Sequence, residues 1–341
     1  MKDLLTIIVL THNNHSYLPR VLEHYRTFDC SVLIADSSRQ KYEGDTNGLA
    51  YAHFALPTFM AKLEAALDLI RTKYVALVGV DDFLVEDGVR ACADFLEAYE
   101  GFVSAQGNSI LYRKQPDYSR YMELLPMYPP DQLSFEIAGD DPFARLRQVF
   151  HPYRTIFCAM HHTAVLYEAY KGIDSRIRNL FLNEYLTAIV PIASGRHKEL
   201  PVFYQVRESA DDSGDKVTPN LDTLFADDAY DNEVEIYINY LSNIISRHTG
   251  RSAEECAGEL RKILEDYAAG LAARRAQDEK KSFTKKLGGL LSHLPLGRAL
   301  VMSRRLKRQQ QSIASVIRTD RDRQNLEHIK TLISRHAQHT A

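Results

Sequence analysis

The sequence predicts an α/β fold: a Rossmann-type sheet with helices on both faces, followed by a mostly helical C-terminal region. Three observations predict it. Strand-like and helix-like segments alternate through the first hundred residues, the strand-like segments are continuous apolar runs, and the pattern becomes almost entirely helical after about residue 228. Such alternation is typical of parallel sheets, in which strands covered on both faces are apolar along their whole length.

Each predicted element has its own signal in the chain, since apolar runs predict strands and apolar residues at helical spacing predict helices. Strands are predicted over residues 5–10, 31–35, 74–80 and 201–206. Helices are predicted from a Ser16 cap to Tyr25, over 57–71, 86–99, 143–150 and 162–170, within 173–190, and over 234–247 and 252–275. Tyrosines and prolines in 103–135 predict loops or an edge hairpin.

The charge of the chain is divided between its two parts. The net charge of the 341 residues is −3, but residues 271–341 carry 16 Lys/Arg against 5 Asp/Glu, so a basic tail follows an acidic body. We predict one α/β domain over 1–225. Residues 226–341 are predicted to form a basic helical region for oligomerisation or membrane contact.

The spacing of the cysteines and the length of the apolar runs predict the cellular compartment of the protein. The four cysteines lie far apart, without a CxxC pair, which predicts free thiols in a reducing compartment and therefore a cytoplasmic protein. The apolar run over residues 4–10 is far shorter than the roughly 20 residues that a membrane-spanning helix needs.

Polar residues follow three of the predicted strands at the point where each strand ends. They are Thr11-His12-Asn13, Asp36-Ser37 and Asp81-Asp82. Ligands of open parallel sheets bind beyond the carboxyl ends of the strands, so we expect these side chains at one edge. A divalent cation that bridges to a diphosphate would neutralise the adjacent carboxylates of Asp81 and Asp82. The alternative is that both aspartates cap the helix that begins near Glu86.

The order and spacing of these segments resemble the family-2-type glycosyltransferases of the GT-A fold. The resemblance covers about residues 4–210 and lies in Ile7-Ile8-Val9-Leu10-Thr11-His12-Asn13, Val32-Leu33-Ile34-Ala35-Asp36-Ser37-Ser38 and Tyr74-Val75-Ala76-Leu77-Val78-Gly79-Val80-Asp81-Asp82-Phe83. Members place a DxD-type metal motif after the strand that follows a long helix. The sequence departs from the pattern at Val80, where many members have a further aspartate, and at Ser37, which replaces a second acidic residue.

The resemblance implies that residues 1–225 form a GT-A-like nucleotide-sugar-binding and catalytic domain, with a role for each matching residue. Thr11 and Asn13 would line the nucleotide pocket, and Asp36 would contact the base or ribose. Asp81 and Asp82 would hold Mn²⁺ or Mg²⁺ against the diphosphate of a nucleotide sugar, with Asp81 part of the donor site.

Two cationic side chains are further candidates for the donor site. By the resemblance, Lys62 on the helix before the metal strand would reach the nucleotide or its phosphates; the alternative is a solvated helix lysine. Arg207 follows the predicted strand over 201–206 and is placed to clamp the leaving diphosphate. Its alternative is an ion pair with Glu208 or Asp211.

An inverting transfer also needs a general base for the acceptor hydroxyl. Glu184 resembles the acidic residue that opens a helix at this stage of the family pattern, and Asp174, in a Gly-Ile-Asp turn upstream, is the second catalytic candidate. The alternative for Glu184 is an exposed glutamate favoured by the helix dipole.

Residues 280–308 combine paired lysines and arginines with leucines. A basic segment with an apolar face suits an anionic membrane surface, such as the inner face of the membrane. The alternative is a helical subdomain that packs on its own body or on a second subunit of a homo-oligomer. Nucleic-acid binding is not expected, because the tail lacks interleaved aromatics and follows an acidic body.

Together these features predict a metal-dependent, inverting glycosyltransferase that moves a sugar from a nucleotide-sugar donor to a glycan or lipid-linked glycan acceptor. One alternative is a nucleotidyltransferase of similar fold, although residues 11–17 contain neither glycine nor a basic Lys or Arg. The other is a non-catalytic scaffold with a transferase-like domain.

Overall fold

The computed structural model describes residues 1–56, 58–114, 122–208, 218–288 and 313–336. Within these ranges ten strands form one sheet. They are β1 (Leu5–Thr11), β2 (Ser31–Asp36), β3 (Ala50–His53), β4 (Tyr74–Gly79), β5 (Phe83–Leu84), β6 (Phe102–Lys114), β7 (Met122–Pro126), β8 (Phe135–Ile137), β9 (Met160–His162) and β10 (Arg196–Glu208). Their order is β3-β2-β1-β4-β9-β6-β10-β5, with β7 beside β6 and β8 beside β10.

Helices precede, connect and follow the strands. They are α1 (Leu18–Tyr25), α2 (Phe59–Leu67), α3 (Glu86–Ala98), α4 (Pro142–Phe150), α5 (Thr163–Tyr170), α6 (Leu180–Ser194), α7 (Leu221–Leu224), α8 (Asp231–Thr249), α9 (Ala253–Gly288) and α10 (Asp320–His336). The predicted α/β class, with a helical C-terminal region, is confirmed.

The sheet has a parallel half and a mixed half. β3, β2, β1 and β4 pair in parallel, and β6 pairs in parallel with β10. β9 runs antiparallel to β4 and β6, and β5 runs antiparallel to β10. The parallel half is the part that the apolar runs over 5–10, 31–35 and 74–80 predict.

Both faces of the parallel half are covered, as the continuous apolar strands require. Ile8 and Leu10 of β1 pack in the core that contains α2, α5 and α6, whereas Ile7 and Val9 pack in the core that contains α1 and α3. Alternate residues of a strand point to opposite faces, so a strand between two helical layers needs apolar residues at every position.

Three local predictions are corrected by the structure. Helix α1 begins at Leu18, with no side-chain cap, and a short 3₁₀ turn over His15–Tyr17 precedes it, so Ser16 is not its cap. Residues 102–114 form the long interior strand β6 and not a loop, although β7 does pair with it as a hairpin. Strand β10 begins at Arg196, five residues before the predicted strand.

The C-terminal helices pack against the α/β part of the chain. Leu241 of α8 and Leu260 of α9 share a core with Leu186 of α6, and Ile329 of α10 shares a core with Phe83.

The division at residue 225 stays a prediction. Of the basic segment over 280–308, residues 289–308 lie outside the described residues. None of the described helices is long and apolar enough to cross a membrane, and all four cysteines are buried and unbridged.

Candidate active site at the carboxyl edge of the sheet

The carboxyl end of β1 is joined to helix α2 by a buried lysine. Lys62 is 1% exposed, and its Nζ donates a 3.1 Å hydrogen bond to the carbonyl oxygen of Thr11. Burial lowers the pKa of Lys62 to about 8, against the opposing effect of the Asp36 carboxylate. The lysine is therefore not a solvated helix residue. The buried Thr11 Oγ1 has no hydrogen-bond partner among the described residues.

Asp36 ends β2 as a fully buried carboxylate with three partners. It accepts hydrogen bonds from the Ser38 amide at 2.7 Å and the Tyr51 hydroxyl at 2.6 Å, and His15 Nε2 lies 2.8 Å from its Oδ2. Burial raises the pKa of Asp36, but the hydrogen bonds from Ser38, Tyr51 and His15 outweigh it, so the net pKa is lowered. The carboxylate is held charged at the edge of the sheet.

Asn13 connects the loops that follow β1 and β2. Its φ of 56° is the left-handed conformation that asparagine tolerates better than most residues. Its amide donates to Ser38 Oγ at 2.7 Å, and its Oδ1 accepts from the Arg39 amide at 3.0 Å. These bonds fix the loop for which the family resemblance implies a place in the nucleotide pocket, which stays a prediction.

Asp81 and Asp82 form the turn between β4 and β5, beside the end of β1. The Val80 amide donates to the Leu10 carbonyl at 3.0 Å, which continues the ladder to the turn. Helix α3 begins at Glu86 after Val85, and no side chain caps it, so the helix-cap alternative for the two aspartates is wrong. Asp81 is half-buried, and Asp82 is 6% exposed.

Asp82 points toward strand β10. The antiparallel register pairs Phe83 with Val206, which brings the next residue on each strand, Asp82 and Arg207, together. The carboxylate of Asp82 accepts from the Glu208 amide at 2.9 Å and the Gln205 side-chain amide at 3.1 Å, and Arg207 Nε lies 3.8 Å from it. Of the two predicted alternative partners of Arg207, Glu208 pairs with another arginine, and Asp211 lies outside the described residues.

That arginine is Arg20 of helix α1. Its Nη2 lies 2.8 Å from Glu208 Oε2 and donates to the Asp81 carbonyl at 3.1 Å, with both charged side chains about 5% exposed or less. It also lies over the Tyr17 ring, 4.2 Å from the centroid. Arg20 therefore ties the aspartate turn to the end of β10.

The two acids of the turn are buried, and the positive charges of Arg20 and Arg207 act on them. Burial raises the pKa of Asp82 well above its ordinary value, the neighbouring Asp81 raises it further, and Arg207 opposes both. Burial likewise raises the pKa of Asp81. Burial lowers the pKa of Arg207, but Asp82, Cys158 and Glu184 together raise it above its usual value. A positive ligand at this turn would relieve the cost of keeping both acids charged.

Glu184 lies in the first turns of α6 and acts electrostatically on the same arginine. Its Oε1 accepts a 3.2 Å hydrogen bond from the Tyr153 hydroxyl, and its charge acts on Arg207. Glu184 and Asp82 therefore both contribute to the raised pKa of Arg207. Its role as general base stays a prediction.

Asp174 lies apart from this group in its contacts. It makes a bidentate ion pair with Arg176, with nitrogen–oxygen distances of 2.6 to 3.1 Å. The hydrogen bonds from Arg176 lower the pKa of Asp174 to about 2. Among the described residues no contact joins Asp174 to the aspartate turn, and its catalytic role stays a prediction.

Several residues of the site are absent from the predictions made on the sequence. They are His15, Arg20, Tyr51 and Gln205, and Glu208 was named only as an alternative partner of Arg207. Each meets its partner across the sheet edge, 15 to 188 residues away in the chain. Only Glu208 had a signal in the sequence, as a carboxylate beside Arg207, and that signal gave the wrong arginine.

Asp81 and Asp82 would hold a divalent cation only together with oxygen atoms supplied by a bound substrate. No group of three or more His, Cys, Asp or Glu suitable for a metal occurs in the described part of the chain. Magnesium, however, is commonly held by one or two carboxylates together with substrate phosphates. Asp81 has the more accessible carboxylate, whereas Asp82 would have to exchange its bonds to β10.

Solved structures of S. aureus TarS are similar to this chain. The chain matches one crystal structure of TarS over 97% of its own length and 55% of that chain, at 14% identity and a TM-score of 0.48. It matches TarS 1–349 in complex with UDP-GlcNAc over 99% of its own length and 92% of that chain, at 14% identity and a TM-score of 0.49. The complex with UDP gives 14% identity and a TM-score of 0.45.

The chain spans about half the length of the first of these TarS chains. No protein-family model matches it, and no curated protein matches it either. Similarity at this level does not carry an activity from one protein to another. The case for a function therefore depends on this chain's own residues.

Proposed function

We propose that the protein is a glycosyltransferase that uses a nucleotide-sugar donor and a divalent cation, Mn²⁺ or Mg²⁺. One observation carries the proposal: the polar ends of β1, β2 and β4 meet at one sheet edge and combine a buried lysine with two adjacent acids. A nucleoside diphosphate needs both kinds of group, since its phosphates are anionic and its metal is cationic.

The donor half of the site would lie over β1 and β2. Asp36 is an ionised acceptor suited to the hydroxyls of a ribose or the N–H of a base, and Asn13 fixes the loop above it. The buried Thr11 hydroxyl and the Lys62 ammonium lie at the same strand end. Both are donors suited to an anionic or carbonyl oxygen.

The diphosphate would lie between Lys62, the aspartate turn and Arg207. A bound cation would supply Lewis-acid stabilisation of the diphosphate, with Asp81 as its first protein ligand and Asp82 as the second. Arg207 adds a permanent positive charge beside the leaving group. Arg20 holds the Asp81 backbone in place through its hydrogen bond to the Asp81 carbonyl.

The acceptor half would depend on Glu184. In an inverting transfer the acceptor oxygen forms a bond to the anomeric carbon while the bond from that carbon to the diphosphate breaks, and the proton of the acceptor hydroxyl passes to Glu184. The Tyr153 hydrogen bond orients the carboxylate for this step. Asp174, already paired with Arg176, would act in its place only after that ion pair opens.

A non-catalytic scaffold is the second candidate function. The observation that favours it is the engagement of Asp82, whose oxygens already accept from the Glu208 amide and the Gln205 side chain. In a scaffold these bonds would be permanent, and neither metal nor nucleotide would affect the protein.

A thermal-shift screen of nucleoside diphosphates, UDP and GDP among them, separates the two candidates. With Mn²⁺ present, one diphosphate should raise the melting temperature, since a ligand that binds only the folded state stabilises it. Asp81→Asn should abolish the metal-dependent part of the shift, and Asp94→Asn, an exposed change on α3, should not. Stabilisation by no diphosphate would favour the scaffold, and equal stabilisation with and without metal would refute the proposed metal dependence.

Activity is tested by hydrolysis of the donor identified in this way. Slow release of the nucleoside diphosphate in Mn²⁺, lost in Asp81→Asn and retained in Asp94→Asn, is the expected result. Binding without hydrolysis or transfer to any glycan would leave a nucleotide-binding protein and refute the transferase.

A further inference from the structure

A second cavity lies at the end of the sheet opposite the aspartate turn. It has a volume of about 450 Å³ and opens where β6 and β10 begin, against the C-terminal ends of α6 and α8. Its size falls in the range of small-molecule sites. The lining is predominantly polar, unlike that of sites for apolar ligands. Its charged and ionisable residues are Asp140, Asp141, Arg145, Arg196, His248 and Arg251.

Arg145 is a buried cation fixed at the base of this cavity. It is 6% exposed, and its guanidinium donates four hydrogen bonds of 2.7 to 2.8 Å to the carbonyl oxygens of Gly139, Asp140, Ile192 and Ala193. A guanidinium has five N–H groups, so one is left for a ligand. No carboxylate of the described residues forms an ion pair with it, and its charge is rigidly placed.

Arg196 is a second guanidinium without a carboxylate partner among the residues described. Its Nη2 donates to the Glu100 carbonyl at 3.1 Å, and its guanidinium carbon lies 4.9 Å from the centroid of the Phe102 ring. Gly101 makes this position available, because a Cβ there would lie 2.4 Å from Arg196 Nη2 and the φ of +82° disfavours other residues. Arg196 keeps N–H groups for a further acceptor.

The acids of the cavity do not balance its cations. Arg251 lies 3.2 Å from Asp141, but that carboxylate also caps helix α4 through the Ala144 amide at 2.8 Å. Three guanidinium groups thus share the lining with two carboxylates, Asp140 and Asp141, and the remaining ionisable residue, His248, is already paired with Glu168 at 2.8 Å. A buried cation without a counter-ion is costly, so an anion that enters the cavity would be stabilised by the excess positive charge.

We propose that this cavity binds a small phosphorylated molecule, whose phosphoryl group is held by Arg196 and Arg251 beside Arg145. A phosphoryl group has several oxygens that can accept from different guanidinium groups at once, and the fork of an arginine matches it. The site is separate from the proposed transfer site and does not depend on it.

The test uses inorganic phosphate as the probe and isothermal titration calorimetry on the full chain at low ionic strength. Wild type should bind phosphate, and Arg196→Ala and Arg251→Ala should each weaken it about tenfold, the loss of one charge-assisted hydrogen bond. Arg147→Ala, which removes an exposed α4 arginine paired with Glu259 outside the cavity, is the matched control. It should bind as wild type does.

A donor-site variant and two glutamine variants complete the test. Lys62→Met should retain the phosphate binding, which separates this cavity from the donor site. If an alanine variant does not fold, Arg196→Gln and Arg251→Gln replace it. Absence of phosphate binding to wild type, or equal binding to wild type and both cavity variants, would overturn the proposal.

Discussion

Raising the pH from 7 to 9 should weaken the binding of a nucleoside diphosphate, because it removes the charge of Lys62. Burial lowers the pKa of this lysine to about 8. At pH 7 about ten molecules carry the ammonium for each neutral one, and at pH 9 the ratio is reversed. If the phosphates require the ammonium, the dissociation constant should rise about tenfold, since each pH unit above the pKa lowers the charged fraction tenfold.

The assay is isothermal titration of the diphosphate found by the thermal-shift screen, at 25 °C and constant ionic strength. Lys62→Met should weaken binding at pH 7 and abolish the dependence on pH between 7 and 9. Lys62→Arg keeps its charge at both pH values, so its affinity should not change with pH even if the longer fork fits less well. Lys171→Met, a surface change after α5, should titrate as wild type does.

A pH-independent affinity in wild type would refute the reasoning. It would mean that the Lys62 ammonium acts only within the protein, through its 3.1 Å bond to the Thr11 carbonyl. The same conclusion would follow if Lys62→Met bound the diphosphate as tightly as wild type at pH 7.

Three other perturbations follow from the contacts described. Glu184→Gln should lower kcat for sugar transfer by a factor of about 10² to 10⁴ with little change in donor KM, as expected for loss of a general base; an unchanged kcat would exclude this role. Arg154→Ala leaves the Glu199 carboxylate buried and unpaired, so urea unfolding should show a loss of about 3 to 5 kcal/mol; replacement of both residues by apolar ones should recover most of it, and a loss below 1 kcal/mol would contradict the argument. Burial lowers the pKa of His24 from 6.5 to about 4, so the unfolded chain binds a proton that the folded chain does not, and stability should fall as the pH drops from 6.5 to 4. His24→Phe should reduce that slope by up to about 1.4 kcal/mol per pH unit, and an unchanged slope would show that other groups set it.

The parallel half of the sheet could be predicted because its signal is local. Strands β1, β2 and β4 are apolar at consecutive positions, and each runs directly into polar residues. Because these strands run in the same direction, Thr11, Asp36 and Asp81 lie at the same edge of the sheet. That part of the candidate site needed no knowledge of strand order.

The rest of the sheet could not be predicted in this way, because its strands carry buried polar side chains. Gln106 of β6 donates to Glu199 of β10 at 2.8 Å, and Arg154 donates to the same carboxylate. These groups satisfy one another, so the interior strand tolerates them, but they interrupt the apolar pattern that identifies a strand.

The partners of Asp82 depend on the same long-range order. Strand β5 has only two residues, too short to be recognised, yet its pairing with β10 brings Arg207 to the aspartate turn. No spacing in the sequence indicates that residues 82 and 207 are neighbours. Arg20, which approaches from helix α1, is unpredictable for the same reason.

Helix α10 covers part of the α/β core and forms ion pairs with it. Arg321 reaches Asp87 at 2.9 Å across 234 residues of chain, Arg335 lies 2.6 Å from Glu23, and Ile329 shares a core with Phe83, the neighbour of Asp82. A chain truncated at residue 288 would expose the apolar surface around Phe83 to water and would be prone to aggregate. Loss of activity in such a truncated chain would therefore say nothing about the function of the whole protein.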